Sequence, residues 1–288
     1  MARERNYIGS YRLLKIVRAG ATCQIWEVID EADNKRCALK ALQDDFHSDR
    51  EQIALLKHEY TVGHELHDST IIEIYDFNIA KGVPYLALEF FNALNLKQRI
   101  RQQREGGTNA LPYDQELMIG VVQQCAKSLG ILHQHGWVHC DVKPDNFLAN
   151  DEGVVKLIDF AIADKIKKKK GFARFFSGKG KIQGTRSYMS PEQIRGEPLD
   201  ERSDVYSLGC TLFEMHCGRP PFTGGNADQL LQKHLKAPAP SLAANCEFAT
   251  SEFNNLLANM MAKKPEQRPA DMNQFSEQLD SIRVYRRQ

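Results

Sequence analysis

The sequence predicts an α+β protein of two lobes, a small strand-rich one followed by a larger, mainly helical one. Three observations carry this expectation. The chain has 288 residues, long enough for two packed lobes or one large domain. Its first third alternates short β-rich runs with turn residues. The remainder repeats apolar residues close to the helical period. A first lobe over 11–91 then meets a second over 92–281 near Asn92–Leu94, with an extension at 1–10 and a tail at 282–288. A ligand is expected in the cleft between lobes.

The elements follow in chain order. Residues 11–17 (YRLLKIV) and 24–29 (QIWEVI) read as strands around a turn, and 36–41 (RCALKA) follows the Asp33-Asn34 turn. A helix fits Asp49 to Leu66. The runs IIEIYDFNIA and VPYLALEF flank Lys81-Gly82, a hairpin signal. Residues 113–135 place Leu117, Val121, Cys125, Leu129 and Leu132 on one helical face that stops at Gly136. Further helices fit 202–217, 226–236, 251–263 and 271–284. No internal repeat or long linker interrupts the pattern.

Composition narrows the class. Apolar residues make up 42% and charged ones 26%, the balance of a soluble globular chain rather than a disordered or membrane-embedded one. The 38 Lys and Arg against 37 Asp and Glu leave +1, so no global field draws nucleic acid. The start, MARERNYIGSYRLL, has no long apolar h-region and no run of about 18 uncharged apolar residues follows, so neither a signal peptide nor a transmembrane segment is expected and the cytoplasm is the expected location. Seven cysteines without a C-x-x-C pair fit reduced, mostly buried thiols.

Phosphoryl transfer needs a cation on the phosphates, oxygen ligands for Mg2+ and a carboxylate to orient the attacking hydroxyl. Lys40 lies on a predicted strand in CALK, and Glu59 follows 19 residues later on the predicted helix. The run HCDVKPDN, residues 139–146, carries Asp141, Lys143 and Asn146, and Asp159 in LIDFA lies 13 residues beyond Asn146. GTRSYMSPEQ spans 184–193, followed by Asp204 in SDVYSLG and Arg268 in EQRP. In this order and spacing, over roughly residues 11–281, the chain resembles the eukaryotic-like Ser/Thr protein kinases, and the bacterial members most.

The resemblance implies a bilobal protein-kinase fold and a role for each residue. Lys40 would hold the α- and β-phosphates of ATP, with Glu59 as its partner. Asp141 would be the catalytic carboxylate and Lys143 the γ-phosphate contact, while Asn146 and Asp159 would ligate Mg2+ or Mn2+. Adenine would sit among Val17, Ile25, Ala38 and Leu148, beside Leu88, under a loop containing Gly20. Glu89 and Phe91 would supply main-chain hydrogen bonds. Asp204 would bind the catalytic-loop backbone, and Arg268 would pair with Glu192. Lys143 together with Thr185 resembles the Ser/Thr-specific pattern, so the implied substrate is a protein hydroxyl. A pseudokinase that binds nucleotide or serves as a scaffold is the alternative, and a small-molecule phosphotransferase is disfavoured by the peptide-binding resemblance of GTRSYMSPEQ.

Three departures stand out. The family's G-x-G-x-x-G-x-V becomes Arg18-Ala-Gly20-Ala-Thr-Cys23-Gln-Ile25, keeping one glycine of three. D-F-G becomes Asp159-Phe160-Ala161, and alanine disfavours the positive φ that a backbone flip there would need. Cys140 replaces the arginine that in the family reads an activation-loop phosphate, so activity is expected not to depend on Ser177. Cys140 itself reads as a buried structural thiol rather than a redox sensor. Finally, residues 165–181 hold eight cations (Lys165, Lys167, Lys168, Lys169, Lys170, Arg174, Lys179, Lys181), no carboxylate, and Phe172, Phe175 and Phe176. An acidic protein substrate, an acidic partner or an anionic surface are the functional readings, against a solvated loop.

Overall fold

Left-handed turn positions fold the first third of the chain into a sheet. Asn34 (φ 61°) ends one β-hairpin connection, and Lys81 (φ 50°) with Gly82 (φ 86°) makes a tight two-residue turn in another. The protein is described by a computed structural model over residues 6–105, 113–166, 186–244 and 246–286. Strands β1 (Tyr7–Ile8), β2 (Tyr11–Ala19), β3 (Cys23–Asp30), β4 (Arg36–Leu42), β5 (Ile74–Ala80) and β6 (Val83–Glu89) form one antiparallel sheet in the order β1-β2-β3-β4-β6-β5. Helix α1 (Arg50–Gly63) connects β4 to β5, and the Asp49 carboxylate caps it through the amides of Glu51 and Gln52.

The period of two assigns the sheet's faces. Val28, Cys37, Leu39, Ala41, Tyr85 and Ala87 build a core on one face, with Tyr11, Leu13 and Trp26 packed against it. On the other face Lys40 pairs across the strands with Ile25 and Leu86, and Ala38 with Glu27 and Leu88. Irregularities in β2 between Leu13 and Lys15, and between Ile16 and Arg18, leave Leu14 and Val17 outside the ladder.

The chain divides into two compact units, one running to Asn92 and including Asp159–Ile162, the other comprising Ala93–Ile158 and the residues from Ala163 onward. The short return to the first unit differs from the linear division at 91/92. Its cause is Phe160, fully buried in that unit, where a Cβ on Gly63 would approach within 2.9 Å of its ring and 2.4 Å of Ile74. Glycine at the end of α1 admits both side chains.

The second unit contains β7 (Leu94–Asn95), α2 (Leu96–Glu105), α3 (Gln115–Gln134), β8 (Trp137–Val138), β9 (Phe147–Ala149), β10 (Val155–Leu157), β11 (Asp164–Lys165), α4 (Pro191–Arg195), α5 (Glu201–Cys217), α6 (Ala227–Lys236), α7 (Ser251–Met260) and α8 (Met272–Asp280). Its small sheets run β10-β9-β7 and β11-β8. Helix α5 is buried from Ser203 to His216 and meets α7 so closely that a Cβ on Gly209 would stand 2.9 Å from that of Met260.

Several expectations change. Leu117 is exposed on the first turn of α3, whereas Val121, Cys125, Leu129 and Leu132 are buried. Helix α2 has only Leu96 and Ile100 buried, too little periodicity to be read from its polar sequence. The extension contributes β1, and the tail packs Val284 and Tyr285 into the unit. All seven cysteines are free thiols, five of them buried. No helix among the described residues is long and apolar enough to cross a membrane.

Two buried histidines link this packing to pH. His216 contacts the Leu212 carbonyl through Nδ1 and the Tyr285 hydroxyl through Nε2, a pairing that suits a neutral ring. Burial lowers both His216 and His234 to about 4, with Lys263 further opposing charge on His234. Their stabilisation is complete above the ordinary value near 6.5 and is lost as pH falls toward 4. Acidification from pH 7 to 5 is expected to lower stability by about 2 kcal/mol per histidine. Urea unfolding across this range checks it: His216→Gln should flatten the slope by about one proton, and an unchanged slope would refute the assignment.

Candidate active site

In the first unit, Lys40 on β4 reaches Glu59 on α1, with Nζ 2.6 Å from Oε2, and Asp159 at 3.2 Å. The strand parity that turns Lys40 away from the core and the burial of Phe160 beside Gly63 together bring these groups into one cluster. Burial pulls the Lys40 ammonium down, but Asp159 and Glu59 more than reverse this and hold it charged. Burial, helped by Asp159 and opposed by Lys40, pushes Glu59 up to about 7. One cation between two carboxylates leaves net negative charge, an arrangement suited to a further cation. Asp159 has φ 69°, so the strained residue of Asp159-Phe160-Ala161 is the aspartate, and Ala161 has no positive φ.

Around Lys40, Ile25 and Ala38 lie on the same sheet face, and Leu88 stands opposite Ala38. Val17 is 53% exposed, although an apolar side chain there reads as core in any fold. Gly20 begins a tight turn in which its amide donates to the Cys23 carbonyl at 2.8 Å. None of Arg18, Ala19, Ala21, Thr22 or Cys23 needs a positive φ, so losing two glycines does not strain this loop. Gln43, which carried no signal in the sequence, braces it by donating through Nε2 to the Gly20 carbonyl. Glu89 donates its amide to Glu73, and Phe91 is half-buried. Between them Phe90 lies under the Arg36 guanidinium, 4.1 Å from the ring centroid, and Arg36 pairs with the buried Glu27.

In the second unit, the loop after β8 gathers Asp141, Lys143 and Asn146. A 3-10 turn opened by Pro144 folds Asn146 back, so that its side-chain nitrogen donates to the Asp141 carbonyl at 2.9 Å and to Oδ2 at 3.3 Å. Lys143 pairs with the Asp141 carboxylate. The Asn146 amide oxygen is thereby turned away from Asp141, as a hard-metal ligand requires. Leu148 follows on β9, half-buried. The buried Asp204 accepts from the amides of His139 (2.7 Å) and Cys140 (3.1 Å) and contacts His133 Nε2 at 2.8 Å. Cys140 adopts φ 67°, and burial, then the nearby Asp204 and Asp164, raise its thiol well above the ordinary range. That environment disfavours a reactive thiolate.

The segment before α4 is fixed from several sides. Tyr188 and Lys97 share the buried Glu214 carboxylate. Glu192 receives two hydrogen bonds from Arg268, at 2.7 and 2.9 Å, and a third from Ser203. Lys165 stacks over Trp137. The other cations of the basic run, Lys167, Lys168, Lys169, Lys170, Arg174, Lys179 and Lys181, with Phe172, Phe175, Phe176, Ser177 and Thr185, lie outside the described residues.

Residues 11–279 match the family described as the protein kinase domain, and the chain belongs to that family. A probable serine/threonine-protein kinase of Clostridium perfringens is 31% identical over 274 residues, 95% of this chain and 38% of its own length. The serine/threonine-protein kinase PknA of Mycobacterium tuberculosis is 30% identical over 284 residues, 97% of this chain and 62% of its own length. The chain thus spans between about two fifths and three fifths of these curated relatives. The fold is similar to that of a point mutant of the Mycobacterium tuberculosis PknI kinase domain, with a TM-score of 0.70, 21% identity and 96% of each chain covered.

The Glu192–Arg268 pair, 4% and 0% exposed, gives a stability test. Removing one member of a buried pair costs about 3–5 kcal/mol by leaving the other charge uncompensated. Arg268→Met is expected to show that loss in chemical denaturation, and adding Glu192→Met should recover most of it. A single variant within about 1 kcal/mol of wild type would contradict this.

Proposed function

We propose that the protein is a serine/threonine kinase that transfers the γ-phosphoryl group of ATP to protein hydroxyls. The observation that carries the reading is the folded catalytic loop, in which Asn146 and Lys143 both converge on Asp141. In the proposed reaction Asp141 orients the acceptor hydroxyl and takes its proton as the oxygen bonds to the γ-phosphorus. The bond from that phosphorus to the bridging oxygen breaks, and ADP leaves. Lys143 contacts the γ-phosphoryl group. Lys40, kept charged by Glu59 and Asp159, holds the α- and β-phosphates. Val17, Ile25, Ala38 and Leu148 receive adenine, Gly20 lets the loop approach the phosphates, and Phe91 supplies a main-chain contact. The Glu89 amide is committed to Glu73, so an adenine contact there falls to the Glu89 carbonyl.

Asn146 and Asp159 are the proposed ligands of Mg2+, with Mn2+ as its substitute; their oxygen donors fit hard cations. The bound ion supplies charge neutralisation on the phosphates. The basic run supports an acidic protein as substrate, and free thiols support a cytoplasmic setting.

Two measurements test this reading. Asp141→Asn should lower turnover by at least about two orders of magnitude while nucleotide still binds; near wild-type phosphorylation would reject the role of Asp141. Nucleotide binding followed by calorimetry should tighten on adding Mg2+ or Mn2+, and Asp159→Ala should abolish the gain. Equal affinity with and without metal in the intact protein would favour a scaffolding module.

A further inference from the structure

We propose that Gln193 is a positioning residue for Asp141, acting through the carbonyl of Cys140; this rests on the catalytic role proposed for Asp141. Cys140 sits at φ 67°, a conformation that is costly for a non-glycine residue and persists only where its surroundings hold it. They hold it from both sides. Its amide donates to Asp204 at 3.1 Å, and its carbonyl accepts from Gln193 Nε2 at 2.8 Å. The same peptide plane carries the Asp141 amide, which donates to His139 Nδ1 at 3.3 Å. Gln193 and His139 therefore grip the two ends of the peptide that leads into Asp141, and so fix the direction in which its carboxylate leaves the chain.

The chemistry of the glutamine singles it out. Its Oε1 accepts from the Ser190 amide at 3.0 Å and lies 3.1 Å from the Ser190 hydroxyl, completing the capping box of α4. Only an acceptor is needed for that box, and glutamate serves there equally well. The nitrogen half of the side chain is surplus to the cap, and it is the half that reaches the loop. Reversing the amide would set a donor against the Ser190 amide and an acceptor against the Cys140 carbonyl. With 7% of the residue exposed, water is poorly placed to rescue either mismatch. The clamp is uncharged and stands where the chain carries Cys140 instead of a phosphate-reading arginine. Alignment of the loop through this contact requires no modification of the protein.

The test compares Gln193→Glu, Gln193→Met, Ser190→Ala and Asp141→Asn in the full chain. The readouts are transfer from labelled ATP with Mg2+ to casein, KM for ATP, and Tm. Both Gln193 variants should lose about 10- to 100-fold in kcat, with KM for ATP within about twofold, the signature of misplacement rather than lost binding. Ser190→Ala weakens the cap but keeps the amide contact, so it should retain kcat within about threefold even if its Tm falls as far. If Gln193→Glu does not fold, Gln193→Met carries the comparison. A folded Gln193 variant with kcat within about threefold of wild type overturns the clamp, as does an equal loss in Ser190→Ala. An inactive Asp141→Asn beside active Gln193 variants overturns the clamp alone, whereas an active Asp141→Asn overturns the reading of Asp141 on which it rests.

Discussion

The second unit depends on one buried carboxylate. Asp204, 1% exposed on α5, collects the amides of His139 and Cys140 and a ring nitrogen of His133. A charge so deep is tolerable only when donors surround it. The donors come from α3 and from the loop after β8, so satisfying Asp204 registers both against the central helix. The positive φ of Cys140 follows from aiming consecutive amides at one acceptor group. Arg268 and Glu192 do for α4 what Asp204 does for the loop, and Gln193 joins the two networks.

The first unit solves a different problem, that of keeping a cation charged away from water. Desolvation alone would discharge Lys40, and two carboxylates prevent it. Burial likewise disfavours the charged form of Glu59, and there it outweighs the attraction of Lys40. The Asp159 carboxylate, 38% exposed, is the more open of the two acids and the one whose backbone is strained. Strain and exposure thus coincide at the residue proposed to meet metal.

Much of this was legible because local rules produced it. Ala38 and Lys40 are two apart, so a strand must place them on one face. Asn146 follows Asp141 by five residues across Pro144, and a single tight turn closes that distance. The helix stop read at Gly136, and Gly218 just after the helix read over 202–217, coincide with positive φ. What escaped reading depends on partners remote in sequence. The amide of Gln193 finds a carbonyl 53 residues earlier, and Gln43 one 23 residues earlier. His139 was visible only as a letter of a motif, although its ring links Asp141 to Ile158. Helix α2 buries only Leu96 and Ile100, too narrow a stripe to read, whereas α5 is legible over 202–217 although it is buried almost throughout.

The placement of Phe160 also orders events in time. A chain emerging from the ribosome delivers β1 to β6 and α1 well before Phe160, which belongs to the same unit and fills the space beside Gly63 and Ile74. Until residue 160 is available, that space lacks its apolar occupant, and the nascent sheet and helix are incomplete. Domains otherwise tend to finish folding in the order of synthesis. Here the earlier-made unit waits for a segment that follows α2 and α3, a long-range closure of the kind that slows folding. The dependence also fixes where the chain can be divided: a fragment ending at Asn92 omits part of its own interior.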